Sequence, residues 1–140
     1  MNPFTFPFAF TFPGGKKVIV KGAAIAGNVD TIKACPVGKR WKLLNIYINL
    51  TTDATVADRF PSVYKRDSAA ATIFKSHSDV VTATLTRAKI WTTAVSAYNT
   101  DINGLGIQLL ETNEDIRVTI DSGVVGDAYD YLIEYLEIDK

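Results

Sequence analysis

Arg40-Trp41-Lys42-Leu43-Leu44-Asn45-Ile46-Tyr47-Ile48-Asn49-Leu50 alternates apolar and polar side chains with a period of two. That period sends Leu44, Ile46, Ile48 and Leu50 to one side of an extended backbone and Asn45, Tyr47 and Asn49 to the other, as in a strand with one buried and one wet face. The same text recurs on both sides of it. Lys16 to Lys21 alternates with Val18 and Val20 on one face, and Val29 to Cys35 runs into the turn Pro36-Val37-Gly38-Lys39. Arg59–Arg66 and Ala71–Lys75 pair around Asp67-Ser68, Asp79–Trp91 is rich in Val and Thr, and Gly106–Leu110 is a short strand before a turn at Glu111–Glu114. Ile116, Val118 and Ile120 alternate with Arg117, Thr119 and Asp121. Ala128 to Ile138 is apolar on both faces, with Tyr129, Tyr131, Ile133 and Tyr135 opposite Leu132, Leu136 and Ile138, so it belongs in the centre of a sheet or beneath a partner. No segment sustains a helical period, although Ser68 to Phe74 could form a single turn. About eight strands at this spacing predict an all-β, two-sheet β-sandwich of jelly-roll type.

A chain of 140 residues holds one such body. We divide it into an extended arm over 1–15 and a single sandwich domain over 16–140. The arm carries Phe4, Phe6, Phe8, Phe10 and Phe12 at every second position, interrupted by Pro7 and flanked by Pro3 and Pro13. Such a stretch can be neither a helix nor a central strand, and its rings share one side. Each buried aromatic contributes roughly 2–3 kcal/mol, so five rings left in water would cost on the order of 10 kcal/mol. The arm therefore needs a groove, and these five residues are the predicted partner-docking set. The prolines also guard free copies against edge-to-edge pairing.

Charge is balanced at 15 basic and 15 acidic side chains, yet unevenly placed. Residues 1–100 hold 13 Lys/Arg against 5 Asp/Glu, whereas 101–140 hold 2 against 10. Either the late strands lie beside the early ones within one body, or an acidic face meets a basic face of another copy. Cys35 is the one cysteine, which excludes an intrachain disulfide. The N-terminal stretch lacks the basic region of a secretory signal, and no apolar run reaches the roughly 18 residues of a membrane helix.

Chemistry finds little to use. His77 is the sole histidine, so one chain cannot build a multi-histidine metal site, and a Cys35/His77 nucleophile pair competes with the ordinary role of a small core thiol. Asp127, Asp130 and Glu134 could supply paired carboxylates for glycoside hydrolysis, but strand faces carry such charges routinely. Asp101-Ile102-Asn103-Gly104, within the loop expected from Asn99 to Gly106, matches only a fragment of a calcium loop. No glycine-rich phosphate loop is present. Lys39, Arg40 and Lys42 beside Trp41, and Lys65-Arg66 after Tyr64, are the ingredients of a single-strand platform, though the near-neutral charge argues against nucleic acid. The expectation is no enzyme, no cofactor and no metal.

Two stretches carry a resemblance: Pro36-Val37-Gly38-Lys39-Arg40-Trp41 continuing to Leu50-Thr51-Thr52-Asp53-Ala54-Thr55-Val56-Ala57-Asp58-Arg59, and Glu114-Asp115-Ile116-Arg117-Val118-Thr119 followed by Gly126-Asp127. Their order and spacing resemble small virion-associated proteins of tailed bacteriophages. The resemblance implies a capsid-decorating or minor structural protein, located in the virion and assembled in the host cytoplasm. Its partners would be further copies of itself, with a trimer preferred, and other virion proteins such as the major capsid protein. It brings no catalytic residues, and the Phe-rich arm departs from the pattern. On its own physics, Thr51, Thr52, Asp53, Thr55 and Arg59 form a corner held by side-chain hydrogen bonds, with Val56 returning to the core and Arg59 pairing with Asp53 or Asp58. A partner-contact loop is the second reading of those five residues. The alternative function is a receptor- or carbohydrate-binding module of a phage tail, with Trp41, Trp91, Tyr64 or Tyr98 stacking on sugar rings.

Overall fold

The computed structural model describes residues 15–93, 101–106 and 108–140. The Phe ladder and Tyr98 lie outside them. Ten strands occur among the described residues, and no helix. They are β1 (Lys16–Ala26), β2 (Thr31–Ala34), β3 (Lys39–Thr51), β4 (Phe60–Arg66), β5 (Thr72–His77), β6 (Thr86–Thr92), β7 (Ile102–Gly104), β8 (Leu109–Leu110), β9 (Asp115–Asp121) and β10 (Ala128–Asp139). One sheet runs β1-β10-β3-β6-β7, with β8 also on β3, and the other runs β2-β9-β4-β5.

The four pairs β1/β10, β2/β9, β3/β6 and β4/β5 are all antiparallel. They nest like one long hairpin rolled up, with β4–β5 at its closed end, which is the strand order of a jelly roll. The all-β sandwich expected from the spacing is therefore the observed fold. β10 lies between β1 and β3, as its two apolar faces demanded. Its Tyr129, Tyr131, Ile133 and Tyr135 enter the core, while Leu132, Leu136 and Ile138 stay half-buried on the outer face.

The inner faces meet in one core of Leu43, Ile46, Ile48 and Leu50 of β3, Trp91 of β6, Val63 of β4, Ile116, Val118 and Ile120 of β9, and the β10 set. Each large side chain buried here contributes about 1.5–3 kcal/mol. Trp41 stacks on Tyr135 at 4.1 Å between ring centroids and donates its indole N–H to Glu137 at 3.0 Å. Trp91 donates to the Ser76 hydroxyl at 3.0 Å.

Several local expectations are corrected. Leu44 does not face the core with Ile46. Asn45 is opposite Glu134 and Leu43 opposite Tyr135, so Leu44 is an extra residue in a bulge that flips the phase, and the buried set becomes Trp41 and Leu43, then Ile46, Ile48 and Leu50. Within the Asp79–Trp91 run only the residues from Thr86 onward belong to a strand, β6. The stretch before it is a loop touching the sheet through an isolated Arg59–Val81 bridge. Asp101-Ile102-Asn103-Gly104 is no calcium-type turn, because Ile102, Asn103 and Gly104 pair in parallel with Ile90, Trp91 and Thr92. Ser68–Ala70 is a plain turn, closed by Asp67 accepting the N–H groups of Ala69 and Ala71.

Candidate functional site

Arg59 and Asp127 are both fully buried and stand 68 residues apart in the chain. The Arg59 guanidinium donates through Nε to Asp127 Oδ2 at 2.9 Å and through Nη2 to Asp127 Oδ1 at 3.0 Å. It also reaches Asp53 Oδ1 at 2.9 Å and the Ala57 carbonyl at 2.8 Å. The remaining capacity of Asp127 is filled by the backbone N–H groups of Asp53 at 2.9 Å and Val124 at 3.0 Å. Burial alone would raise the Asp127 pKa, but the donors from Arg59, Val124 and Asp53 outweigh it and hold the carboxyl below its ordinary value.

Glycine makes room for this cluster. A side chain on Gly126 would put its Cβ 2.0 Å from Asp53 Oδ2, and one on Gly27 would fall 2.5 Å from the Asp127 Cβ. Thr52 completes the corner. Its hydroxyl donates to the Thr82 carbonyl at 2.7 Å and accepts the Leu85 N–H at 2.9 Å. Thr51 meets Thr86 hydroxyl to hydroxyl at 3.1 Å, and the Thr55 N–H closes on Asp53 at 2.9 Å. The cluster thus ties the β3–β4 loop to the β9–β10 turn and to the loop before β6, across the two sheets.

Thr51, Thr52, Asp53, Thr55 and Arg59 are therefore brought together as a corner. Arg59 takes Asp53 and Asp127, not Asp58. Val56 does not return to the core but stands 94% exposed at the loop tip. Asp127, considered from sequence only as a hydrolytic acid, is the centre of the lock. Its signal was the Gly126-Asp127 pair, since a glycine beside a buried acid marks close backbone approach. The stretches Leu50–Arg59 and Gly126-Asp127, far apart in the sequence, meet at this ion pair.

The other candidates separate. Cys35 directly follows β2, buried, with its thiol on the Lys39 carbonyl at 3.3 Å and its pKa pushed up by burial. His77 ends β5, where its ring tilts against Phe60. β2 and β5 are opposite edges of a four-stranded sheet, about 14 Å apart at three strand spacings, so the two cannot act as a nucleophile pair. Asp130 accepts the Ala24 N–H at 2.9 Å, and Glu134 lies against Asn45 and Lys17, so neither shares a cleft with Asp127. Among the described residues no group of three or more His, Cys, Asp or Glu side chains could hold a metal ion, and no helix is long and apolar enough to cross a membrane.

The basic clusters are neutralised by the acidic late strands: Lys39 with Asp139, Arg40 with Glu111, Lys65 with Glu114, and Arg66 with Asp115. Lys17–Glu134, Lys75–Asp121 and Lys89–Asp101 follow the same rule. The charge asymmetry is thus answered largely inside one body, and four of the five cations of the single-strand platform, Lys39, Arg40, Lys65 and Arg66, are paired there. Trp41 and Trp91 are core residues, which removes them as sugar-stacking platforms. Tyr64 lies beneath Lys75, 4.6 Å from its ring centroid, and donates its hydroxyl to Asp121 at 3.1 Å.

One surface is less committed. The outer face of the larger sheet bears a depression of about 500 Å³ lined by Lys21, Gly22 and Ala23 of β1, Tyr47 of β3, and Asp130, Tyr131 and Leu132 of β10. It lies where β1 bulges, between the Gly22–Tyr131 and Ile25–Tyr129 pairs. Ile19, two residues before Lys21 on the same outward face, is 49% exposed.

No family model matches the chain, and no curated protein matches it. Among solved structures it is similar to a chain of the T13 viral particle of infectious bursal disease virus, with TM-score 0.44 and 9% identity over 88% of this chain and 32% of that one. It is similar to a chain of the Gx strain of the same virus at TM-score 0.37 and 10% identity, over 87% of this chain and 31% of that one. Latent PorU of Porphyromonas gingivalis gives TM-score 0.29 and 12% identity, over 91% of this chain and 10% of that one. The chain spans about a third of the length of the two viral chains. The fold rests on the strand order itself.

Proposed function

We propose that this protein is a non-enzymatic structural component of a virus particle, a capsid-decorating or minor capsid protein of the tailed-phage type its sequence resembles, which docks through its N-terminal arm and stabilises the shell. One observation carries the reading: the acids, bases and tryptophans of the body singled out for chemistry or ligand stacking are largely engaged in holding the sandwich together, while the sequence carries a ladder of five Phe outside the described residues. Five rings on an extended, proline-spaced stretch suit attachment to a groove on a neighbour, with backbone pairing at a sheet edge. Repeated copies, as a trimer, would multiply a modest contact into a firm one.

The test is co-sedimentation with particles assembled without this chain, comparing the full chain with one lacking residues 2–13. The full chain sediments with the particles. The truncated chain stays in the supernatant while keeping the β-rich circular dichroism of the body. Equal attachment by both would overturn the reading.

A further inference from the structure

Among the described residues β1 is an edge strand, and the backbone shows which of its groups no described strand pairs. The Gly27 N–H donates to the Asp127 carbonyl at 2.8 Å, and a Cβ on Gly15 would lie 2.6 Å from the Glu137 carbonyl oxygen, so the odd-numbered residues of β10 direct their backbone groups toward β1. Their partners Lys16, Val18, Val20 and Gly22 are consequently bonded to β10. Alternation leaves the N–H and C=O of Lys17, Ile19 and Lys21 on the free edge, with side chains on the outer face of the sheet.

The arm has a parity of its own. In a strand every second residue points its N–H to the same side, and Pro3, Pro7 and Pro13 are all odd, so three donors are missing from one edge and none from the other. The intact edge is that of Phe4, Phe6, Phe8, Phe10 and Phe12. An antiparallel arm bonding Lys17, Ile19 and Lys21 through its Phe positions keeps every donor and turns its proline edge to solvent. Residues paired across a ladder share a face, so the rings then fall on the side of Ile19, Leu132 and Tyr47, over the depression beside the β1 bulge.

Resting on the reading that the arm docks on a neighbour, we propose that the free edge of β1 is the acceptor for the Phe ladder of a second copy, which runs antiparallel along Lys17, Ile19 and Lys21 and lays its rings on the outer face of the larger sheet. The tightest reversal does not bring the chain's own arm back there. Lys16 is paired with Glu137 and Gly15 is packed against it, so a tight reversal falls to Pro13 and Gly14. The favoured two-residue hairpin turns need a positive φ at the first position, which proline cannot adopt. One donor arm and one acceptor edge per copy is a head-to-tail contact, closing into a ring when the rotation allows.

The test is disulfide trapping in full-length chains. Phe6→Cys, Phe8→Cys or Phe10→Cys is mixed with Ile19→Cys and oxidised, alongside Pro7→Cys, Ala9→Cys and Thr11→Cys, each single variant alone, and the wild-type chain with its buried Cys35 as blank. The in-register even position should link to Ile19→Cys across two chains roughly tenfold more than any odd position, since odd side chains point to the other face. No mixed dimers, or a preference for odd positions, overturns the proposal. So does a Phe8→Cys/Ile19→Cys double variant that links only within a monomer, which would mean the arm folds onto its own body. Particle sedimentation is scored separately: chains that exchange arms but do not attach refute the particle reading alone, and chains that attach through the arm without linking at Ile19 refute only this one.

Discussion

Replacing Asp127 with asparagine keeps the shape of the corner and removes its charge. In the native cluster Oδ1 accepts Asp53 N–H and Arg59 Nη2, and Oδ2 accepts Arg59 Nε and the Val124 N–H. Asparagine offers one oxygen and one NH₂, so either orientation sets an amide donor against two donors and leaves the buried guanidinium with Asp53 as its one carboxylate. Removing one partner of a buried ion pair costs about 3–5 kcal/mol, mostly because the other charge stays buried. For a body of this size that is a fall of roughly 10–15 °C in Tm. Urea unfolding followed by the fluorescence of Trp41 and Trp91 reads the loss directly. Asp53→Asn, at a half-exposed acid whose Oδ1 can still accept, should cost only about 1 kcal/mol. Arg59→Met in the Asp127→Asn background should recover part of the loss, because the stranded charge goes with it. A loss below about 1 kcal/mol for Asp127→Asn would refute the view that this ion pair locks the two sheets.

Further outcomes follow from the same geometry. Gly126→Ala drives a Cβ into the Asp53 carboxylate and should destabilise by about 2 kcal/mol or more, measured in the same unfolding assay. Asp127 and Asp121 have pKa values lowered in the folded state, by donors that outweigh burial, so their contribution is complete above the unfolded carboxylate range near pH 4 and is lost as pH falls through the folded values. Urea midpoints between pH 6 and pH 2 should fall accordingly, and by less in Asp127→Asn. Lys89, buried between Asp79 at 2.6 Å and Asp101 at 2.5 Å, is opposed by burial, but its carboxylate partners prevail and raise its pKa. Its contribution is present below the ordinary lysine value and lost as pH rises through the folded one, so the alkaline unfolding limb should move in Lys89→Met. The Cys35 thiol should resist labelling in the native protein and react at the rate of unfolding, as timed thiol titration will show.

Much of the sandwich was legible because its strands obey a period of two and one face is buried throughout. β9 and β10 could be read residue by residue, and β10 announced its central place by being apolar on both sides. The phase error at Leu44 came from a bulge, which inserts a residue without changing the character of the sequence around it. β7 hid because Asp101-Ile102-Asn103-Gly104 carries turn-forming residues, and parallel pairing with β6 overrode that preference. The corner was half visible. Threonines and Asp53 suggested a hydrogen-bonded bend, but the partner of Arg59 lay 68 residues away, and no local pattern selects Asp127 over Asp58. The buried tryptophans were equally ambiguous, since a ring that fits a sugar also fits a core.

The position of β10 has a consequence for synthesis. Of the ten strands described it is the last to leave the ribosome, yet it stands between β1 and β3, so the larger sheet has a gap along its middle until Ala128–Asp139 has been made. β4 and β5 can pair early, at a translation rate of about 5–20 residues per second, but the acceptor edge of β1 has no sheet behind it until β10 arrives. On the proposed docking, a chain that lacks β10 has no finished surface on which to capture a neighbour's arm.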